Sequence, residues 1–244
     1  MAGRVVLVGG GPGDQDLITV RGAAEVAKAD VVLYDRLAPN PIELARPDCE
    51  LIDVGKIPRG EFTPQEQINA LLIQRALTGK HVVRLKGGDP YVFGRGGEEA
   101  LACMEAGIPF DVVPGITSAL ASAATGGVPV THRGLTQGFT VVSGHVPPGD
   151  PRSDLDWAAL ARTGTTLVIL MGVLNLPHIC HALLEAGMDA DTPALTVERA
   201  SHPDQRVLRG TVSTIAEACA DANVQPPATT VIGRVGELDL SGQS

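Results

Sequence analysis

Aromatic residues and positive charge are scarce in this sequence. Aromatic side chains make up 3% of the 244 residues, and the formal net charge at pH 7 is -9. Domains that bind nucleic acid depend on basic patches and often on stacking aromatic rings. The composition therefore disfavours nucleic acid as a partner.

Closely spaced cysteines and long apolar runs are also absent. The four cysteines, Cys49, Cys103, Cys180 and Cys219, form no CxxC pair and lie in apolar or helical contexts, which predicts reduced core thiols. The apolar runs are too short to span a bilayer, and the first residues enter a strand-like segment without the pattern of a secretion signal. We expect a cytoplasmic protein with no membrane partner.

What the sequence has in quantity is aliphatic residues, at 44% hydrophobic overall, with 29 glycines. In the first half, short β-branched segments alternate with helical patterns, which predicts an α/β fold with parallel strands. Thr63, Pro64 and Glu66 predict the capped start of one helix, and Gly79 its end. The five predicted strands span residues 4–9, 30–35, 50–55, 81–87 and 110–115.

A second series of strands and helices follows residue 115. Strands are predicted within 138–144, 165–172, 193–200, 205–210 and 228–236. We therefore expect two α/β domains, residues 1–115 and 116–244.

The glycine cluster at residues 9–14 follows the first strand, where a phosphate-binding turn of a dinucleotide fold would lie. Asp35, after the second strand, has the approximate spacing of a ribose-binding acid. However, Asp14 stands where the third glycine belongs, and Pro12 removes a backbone donor. Dinucleotide binding is disfavoured, and a tight turn that lets the chain pass close to a ligand or a helix remains open.

Nine short segments follow one another along the chain, and their order is more informative than any one of them. Together they resemble the motif set of the uroporphyrinogen-III C-methyltransferases, within the tetrapyrrole methylase superfamily, over nearly the whole chain. The segments are residues 8–22, 34–37, 54–56, 85–99, 113–119, 129–133, 143–145, 171–172 and 232–235.

The resemblance implies two α/β domains with S-adenosylmethionine bound in the cleft between them. Asp89 could instead serve only its own turn, and Thr117 and Ser118 could act only as helix caps. Ala200 departs from the family, which usually has a glycine-containing run there. The implied cofactor-binding residues are Pro12, Gly87, Gly88, Asp89, Val92, Thr117, Ser118, Met171 and Ala200.

The implied reaction transfers a methyl group twice to uroporphyrinogen III, giving precorrin-1 and then precorrin-2, without a metal. By resemblance Asp35 is the proton acceptor and Lys56 the proton donor, although both could belong to an ordinary ion pair. His178, Cys180 and His181 lack third and fourth ligands at suitable spacing for a metal site.

The implied substrate carries eight carboxylates, so cations are expected near strand ends. For each cation alone, a solvated surface role remains open. His145 is a minor candidate for substrate contact. Arg36, Arg95, His132 and Arg133 are the predicted substrate-binding residues, with Arg84 and Lys86 as further candidates.

Other functions remain open at this point. They are methylation of a later precorrin, of diphthine or of ribosomal RNA, an NAD-dependent oxidoreductase, and a non-catalytic porphyrin-binding module. The family suggests a homodimer. The sequence shows neither a dehydrogenase-chelatase nor a uroporphyrinogen synthase pattern, so we expect the product to be precorrin-2, for sirohaem or cobalamin.

Overall fold

The computed structural model describes residues 3–55 and 63–241. The chain divides into two compact units, Met1–Thr117 and Ser118–Ser244. Each unit has its own five-stranded sheet with helices packed on it. The predicted α/β class is confirmed.

The first unit contains a wholly parallel sheet in the order β3-β2-β4-β1-β5. All five predicted strands are present. The apolar side chains of the three central strands are buried on both faces, which explains their nearly continuous valine and leucine runs. The strands are β1 (Arg4–Gly9), β2 (Val31–Tyr34), β3 (Glu50–Asp53), β4 (His81–Lys86) and β5 (Phe110–Val113).

Three helices cover the two faces of this sheet. Helix α1 (Val20–Lys28) packs on one face, and α2 (Gln65–Leu77) and α3 (Gly96–Glu105) pack on the other. From the neighbouring central strands β1 and β4, the chain leaves in opposite directions, through α1 to β2 and through α3 to β5. The carboxyl ends of β1 and β4 therefore form a topological switch point, where open α/β sheets bind ligands.

The predicted capping box of α2 is wrong. Pro64 itself occupies the N-cap position, and no side chain caps the helix. Thr63 lies one residue too early to accept from the first free N–H groups. The predicted end is confirmed, because Gly79 adopts a left-handed φ of 85° just after the C-cap Thr78.

The second unit contains a mixed sheet in the order β6-β7-β10-β8-β9. Only β6 and β7 pair in parallel, since β10 inserts between β7 and β8 in the opposite direction and β9 folds back on β8. Its strands are β6 (Phe139–Ser143), β7 (Thr166–Leu170), β8 (Pro193–Glu198), β9 (Arg206–Thr211) and β10 (Ala228–Ile232).

Among the residues that the structure describes, four helices complete the second unit, which also has short 3-10 turns at 173–175 and 234–237. The first unit has such turns at 15–17 and 41–43. Across residues 3–55 and 63–241, no helix has the length and apolar character needed to cross a bilayer. The four helices are α4 (Ser118–Thr125), α5 (Trp157–Arg162), α6 (Leu176–Glu185) and α7 (Ile215–Asp221).

The four cysteines are free thiols, as predicted. Cys103, Cys180 and Cys219 are buried in the core, whereas Cys49 is only half-buried. Burial raises the pKa of the Cys103 thiol to about 11.

Candidate active site

At the switch point the backbones of the segments that follow β1, β4 and β5 approach each other closely. The N–H of Gly88 donates to the carbonyl of Gly11 at 2.6 Å, and the N–H of Gly11 donates back at 3.2 Å. A Cβ on Gly9 would lie 2.7 Å from the carbonyl oxygen of Gly88 and 2.5 Å from the nitrogen of Gly115. These glycines are required because the three segments approach more closely than side chains allow.

Asp89 links two of these segments. Its Oδ1 accepts from the N–H of Tyr91 at 2.8 Å, and its Oδ2 accepts from the N–H of Gly115 at 3.0 Å. The carboxylate thus shapes the turn after β4 and holds it to the end of β5. It is half-buried, and a carboxylate has about four acceptor sites, so it can also accept from a ligand.

Asp35 follows β2 and reaches the same edge. Its Oδ1 accepts from the N–H groups of Leu37, at 3.1 Å, and Gly87, at 3.3 Å. Its Oδ2 lies 3.4 Å from Nη2 of Arg84, and the side chain is 26% exposed. The predicted proton acceptor therefore lies next to the predicted cofactor-binding segment that begins at Gly87.

The prediction that Arg84 and Lys86 are available to substrate carboxylates is wrong. Both side chains are about 3% exposed and pair with Glu99, which is fully buried. Burial, and secondarily Arg84, lowers the pKa of Lys86. Arg84 and Lys86 are two residues apart in β4, so both side chains point to the same face, the one that α2 and α3 cover. Their charges require a buried anion there.

Glu99 was missed in the sequence. The sequence nevertheless contained a signal. Arg84 and Lys86 lie two residues apart in an apolar strand, so both point to the same buried face and require a nearby carboxylate. The helix after β4 begins with acidic residues that can supply it. The sequence alone offered Glu98 and Glu99 equally. The tertiary structure buries Glu99 and leaves Glu98 on the surface.

The loop after β4 has a strained backbone. Phe93 and Arg95 have φ values of 53° and 57°, in the left-handed region that non-glycine residues rarely adopt. Arg95 is exposed and makes two 2.8 Å hydrogen bonds to Glu98, which chiefly raise the pKa of Arg95. Val92, in the same loop, is half-buried. Strain of this kind concentrates at functional sites.

Three other predicted residues of the first unit differ in their exposure. Pro12 and Thr117 are half-buried, and Arg36 is exposed beside Asp35. Lys56, the predicted proton donor, lies outside the described residues.

The glycine turn does not lead directly into a helix. Helix α1 begins only at Val20, where the Thr19 hydroxyl caps it by accepting from the N–H of Gly22 at 3.0 Å. Asp14 instead caps a short 3-10 turn. A dinucleotide fold needs the helix N-terminus at the glycine turn to bind the pyrophosphate, so this arrangement disfavours that alternative.

In the second unit, Met171 and Ala200 follow β7 and β8. These two strands run in the same direction because both are antiparallel to β10, so the two residues lie at one edge of the sheet. Met171 is 51% exposed with a φ of 55°. Ala200 is buried between Arg199 and Ser201, whose φ values are 50° and 65°. The left-handed conformation thus falls on the neighbours of Ala200, and alanine is tolerated there.

Ser118 is the first residue of α4. His145, beyond β6, is exposed, and its Nδ1 lies 2.8 Å from the hydroxyl of Ser143. Asn175 donates to the carbonyls of Gly144 and His145, at 2.8 and 3.1 Å, and so holds this strand end.

His132 and Arg133 do not lie at the carboxyl edge that the sequence predicted. They are exposed in the turn His132–Thr136, which precedes β6. The hydroxyl of Thr136 donates to the carbonyls of Gly138 and Gly164, at 2.9 and 3.3 Å, which tie the turn to the amino ends of β6 and β7. Within this unit, His132 and Arg133 therefore lie toward the edge of the sheet opposite to the one where Met171 lies.

The histidine pair on α6 has ordinary surroundings. His181 pairs with Glu185 at 3.3 Å, and Cys180 is buried in the core. Within the described ranges, no group of three or more histidine, cysteine, aspartate or glutamate side chains is arranged to hold a metal ion.

Comparison with known proteins identifies the family. The tetrapyrrole (corrin/porphyrin) methylase family matches residues 4–216. The chain belongs to this family. The resemblance predicted from the sequence is confirmed.

Among solved structures, this methylase chain is similar to the uroporphyrin-III C-methyl transferase of Thermus thermophilus complexed with S-adenyl homocysteine. The two are 44% identical with a TM-score of 0.82, and the match covers 96% of this chain and 99% of that one. A cobalt precorrin-4 methyltransferase of cobalamin biosynthesis is 29% identical, with a TM-score of 0.84 and coverage of 94% of each chain.

Among curated proteins, the siroheme synthase of Stutzerimonas stutzeri (strain A1501) is 48% identical over 237 residues. That match covers 97% of this chain and 50% of the synthase. The chain spans about half the length of the curated relatives it matches.

Proposed function

We propose that this methylase transfers methyl groups from S-adenosylmethionine to two pyrrole carbons, C2 and C7, of uroporphyrinogen III. The product is precorrin-2, formed through precorrin-1, for sirohaem or cobalamin. The observation that carries the proposal is the 44% identity to the Thermus uroporphyrin-III C-methyl transferase over 99% of that chain. The coarser prediction, an S-adenosylmethionine-dependent methyltransferase, is confirmed at the level of the family.

The carboxyl edge of the first unit fits the methyl donor. The edge is built largely from glycine backbone, and it presents the half-buried carboxylates of Asp35 and Asp89. Because Glu99 pairs with the nearby cations Arg84 and Lys86, the edge suits a ligand with a sulfonium and an ammonium group better than a pyrophosphate.

When bound, S-adenosylmethionine supplies an electrophilic methyl group. The work of the protein is to place sulfur, methyl and pyrrole carbon in line, an entropic contribution that reaches ~7–11 kcal/mol in favourable systems. The residues proposed to bind the donor are Pro12, Gly87, Gly88, Asp89, Val92, Thr117, Ser118, Met171 and Ala200.

Methyl transfer leaves a positive charge on the pyrrole, and a proton must then leave the macrocycle. The methylated carbon already bears a carboxylate side chain and has no hydrogen, so the proton leaves from another position of the macrocycle. Asp35 is the proposed acceptor because its carboxylate is one quarter exposed and is held by two backbone donors and a guanidinium. Lys56 is the proposed donor. Arginine forks recognise carboxylates bidentately, so Arg36 and Arg95 are the proposed contacts for the substrate carboxylates.

The test is methyl transfer to uroporphyrinogen III made enzymatically under anaerobic conditions. We expect a product heavier by two methyl groups and two equivalents of S-adenosylhomocysteine. An unmodified tetrapyrrole with the methyl donor unconsumed would refute the proposal, and would leave a non-catalytic porphyrin-binding module as the alternative.

A later precorrin is the second candidate acceptor. The likeness to the cobalt precorrin-4 methyltransferase favours it. A panel of precorrins, with diphthine and ribosomal RNA as further acceptors, identifies the substrate by the highest kcat/KM. Thermal unfolding with each ligand tests the oxidoreductase alternative. We expect S-adenosylhomocysteine to raise the Tm of the protein and NAD to leave it unchanged.

We also propose that the protein is a cytoplasmic homodimer. Analytical ultracentrifugation should give a mass near twice that of one chain. A mass equal to one chain at micromolar concentration would contradict the proposed dimer.

A further inference from the structure

Glu99 collects three donors on one oxygen. Its Oε1 lies 2.9 Å from Nε of Arg84, 3.1 Å from Nζ of Lys86 and 3.3 Å from Nε2 of Gln65. Glu99 is in the first turn of α3, and Gln65 is the first residue of α2. We call Arg84, Lys86 and Glu99 the buried ion cluster. It joins the start of two helices to the carboxyl-terminal half of β4.

Arg84 extends this cluster to the candidate active site. Its Nη1 donates to the carbonyls of Leu85 and Leu33, at 3.0 and 3.4 Å, and its Nη2 donates to Oδ2 of Asp35 at 3.4 Å. Because Nε is bound to Glu99, each nitrogen of the guanidinium has an acceptor. The orientation of the planar fork that reaches Asp35 is therefore fixed by acceptors on all three nitrogens.

Stability alone is a poor explanation for the buried ion cluster. Buried ion pairs are often no more stabilising than apolar residues of similar volume, because desolvation offsets the attraction between the charges. In addition, Oε2 of Glu99 is buried and has no hydrogen-bond partner among the residues that the structure describes. A carboxylate held at such a cost requires another reason.

The charges of the site also depend on Glu99. Arg84 and Lys86 contribute two positive charges, and Glu99 and Asp35 contribute two negative charges. Without Glu99, two buried cations would face one carboxylate, and both would compete for Asp35. The Asp35 carboxylate would then shift away from the N–H groups of Leu37 and Gly87 that now hold it.

We propose that Glu99 is a positioning residue for methyl transfer, which acts through Arg84 to fix the Asp35 carboxylate beside the cofactor-binding segment. This inference rests on the proposed function. It assigns to α3 a part in the reaction, although α3 supplies no group that touches the reacting atoms.

The test is a double-mutant cycle that joins Glu99→Gln with Asp35→Asn. Glutamine keeps the shape of Glu99 and removes the charge. We expect Glu99→Gln to lower kcat on the order of 10²-fold, the effect of a misplaced catalytic group, with KM for uroporphyrinogen III and the Kd of S-adenosylhomocysteine within about twofold of the original. In the Asp35→Asn background the same change should lower kcat by less than about twofold, because residues that act as a unit are not additive.

The matched control is Glu105→Gln, the same chemical change at the exposed last residue of the same helix. It should leave kcat unchanged in both backgrounds. If Glu99→Gln does not fold, Arg84→Lys replaces it, because lysine keeps the charge opposite Glu99 but lacks the nitrogen that reaches Asp35.

Two results would overturn the inference while the proposed function stands. They are an original kcat in Glu99→Gln and losses that multiply across the cycle. An original kcat in Asp35→Asn would overturn the inference together with the proposed role of Asp35 as proton acceptor. Absence of turnover in the unsubstituted protein would overturn the proposed function itself, and the inference with it.

Discussion

The close approach of β1, β4 and β5 predicts that Gly9→Ala damages both folding and cofactor binding. The new Cβ would lie 2.6 Å from the Cα of Gly115. That is roughly 1 Å below the ~3.5–4.0 Å at which two carbon atoms attract each other best. The three nearest atoms are all backbone atoms, so the overlap with them cannot be relieved by movement of a flexible side chain.

Relief of this overlap requires the ends of the strands to separate. The segments are held by the 2.7 Å bond from the N–H of Gly10 to the carbonyl of Lys86 and by the 3.0 Å bond from the N–H of Gly115 to Asp89. We expect the free energy of unfolding to fall by about 1–3 kcal/mol, as for overpacking in a core. For a chain of this length, that corresponds to a fall in Tm of roughly 2–12 °C.

The assays are urea unfolding followed by circular dichroism, and calorimetric titration with S-adenosylhomocysteine. We expect the Kd of the Gly9→Ala protein to rise at least tenfold. The control is Gly97→Ala in α3, where a Cβ meets no atom within 4 Å. Alanine there should raise the free energy of unfolding by about 0.4–1 kcal/mol and leave the Kd unchanged. Equal stability and equal Kd in Gly9→Ala and the original protein would refute the reasoning.

Three further predictions follow from individual groups. Asp89→Asn should raise the Kd of S-adenosylhomocysteine about tenfold in calorimetry, because an amide oxygen cannot accept all the bonds that the carboxylate accepts; an unchanged Kd would remove Asp89 from the site. The pKa of Glu198 is held below its ordinary value of 4.5, chiefly by its hydrogen bond to an arginine. Its contribution to stability is therefore present above pH 4.5 and is lost as the pH falls through the lowered pKa, so Glu198→Gln should lower stability at pH 7 and flatten the acid limb of the stability profile. Glu217→Gln, at an exposed carboxyl, is the control, and parallel profiles of the Glu198→Gln and original proteins would contradict this assignment. Alkylation at pH 8 followed by peptide mass mapping should label half-buried Cys49 before Cys103, whose pKa is about 11; simultaneous labelling would show that the core opens.

The sequence predicted the first unit well because its signals are local. Each predicted strand segment of that unit ends in glycine or aspartate, and alternating helices leave parallel pairing as the outcome. The strand order and direction of the second sheet were harder to predict. Strand β10 inserts between β7 and β8 and runs antiparallel to both. The residues of β10 do not themselves indicate which strands it pairs with.

Site residues divide in the same way. Asp35 and Gly87 were predicted by resemblance, and the structure brings them into hydrogen-bond contact. Arg84 was a candidate for substrate contact because it is one of a set of cations near strand ends, whereas its burial and pairing depend on a helix that packs over it. His132 was misplaced because closeness in sequence to a strand does not reveal which end of the sheet the residue approaches.

The sequence by itself determined the family, the α/β class and the glycine-rich segments, since these follow from ordered motifs and from the local preferences of the backbone. The tertiary structure alone decided that Glu99, and not Glu98, enters the core. It also decided that the Asp89 carboxylate, in the turn after β4, accepts a hydrogen bond from the N–H of Gly115 after β5. The physical reason is that the effect of a charge depends on its burial and its partners, and both are fixed only when distant segments pack together.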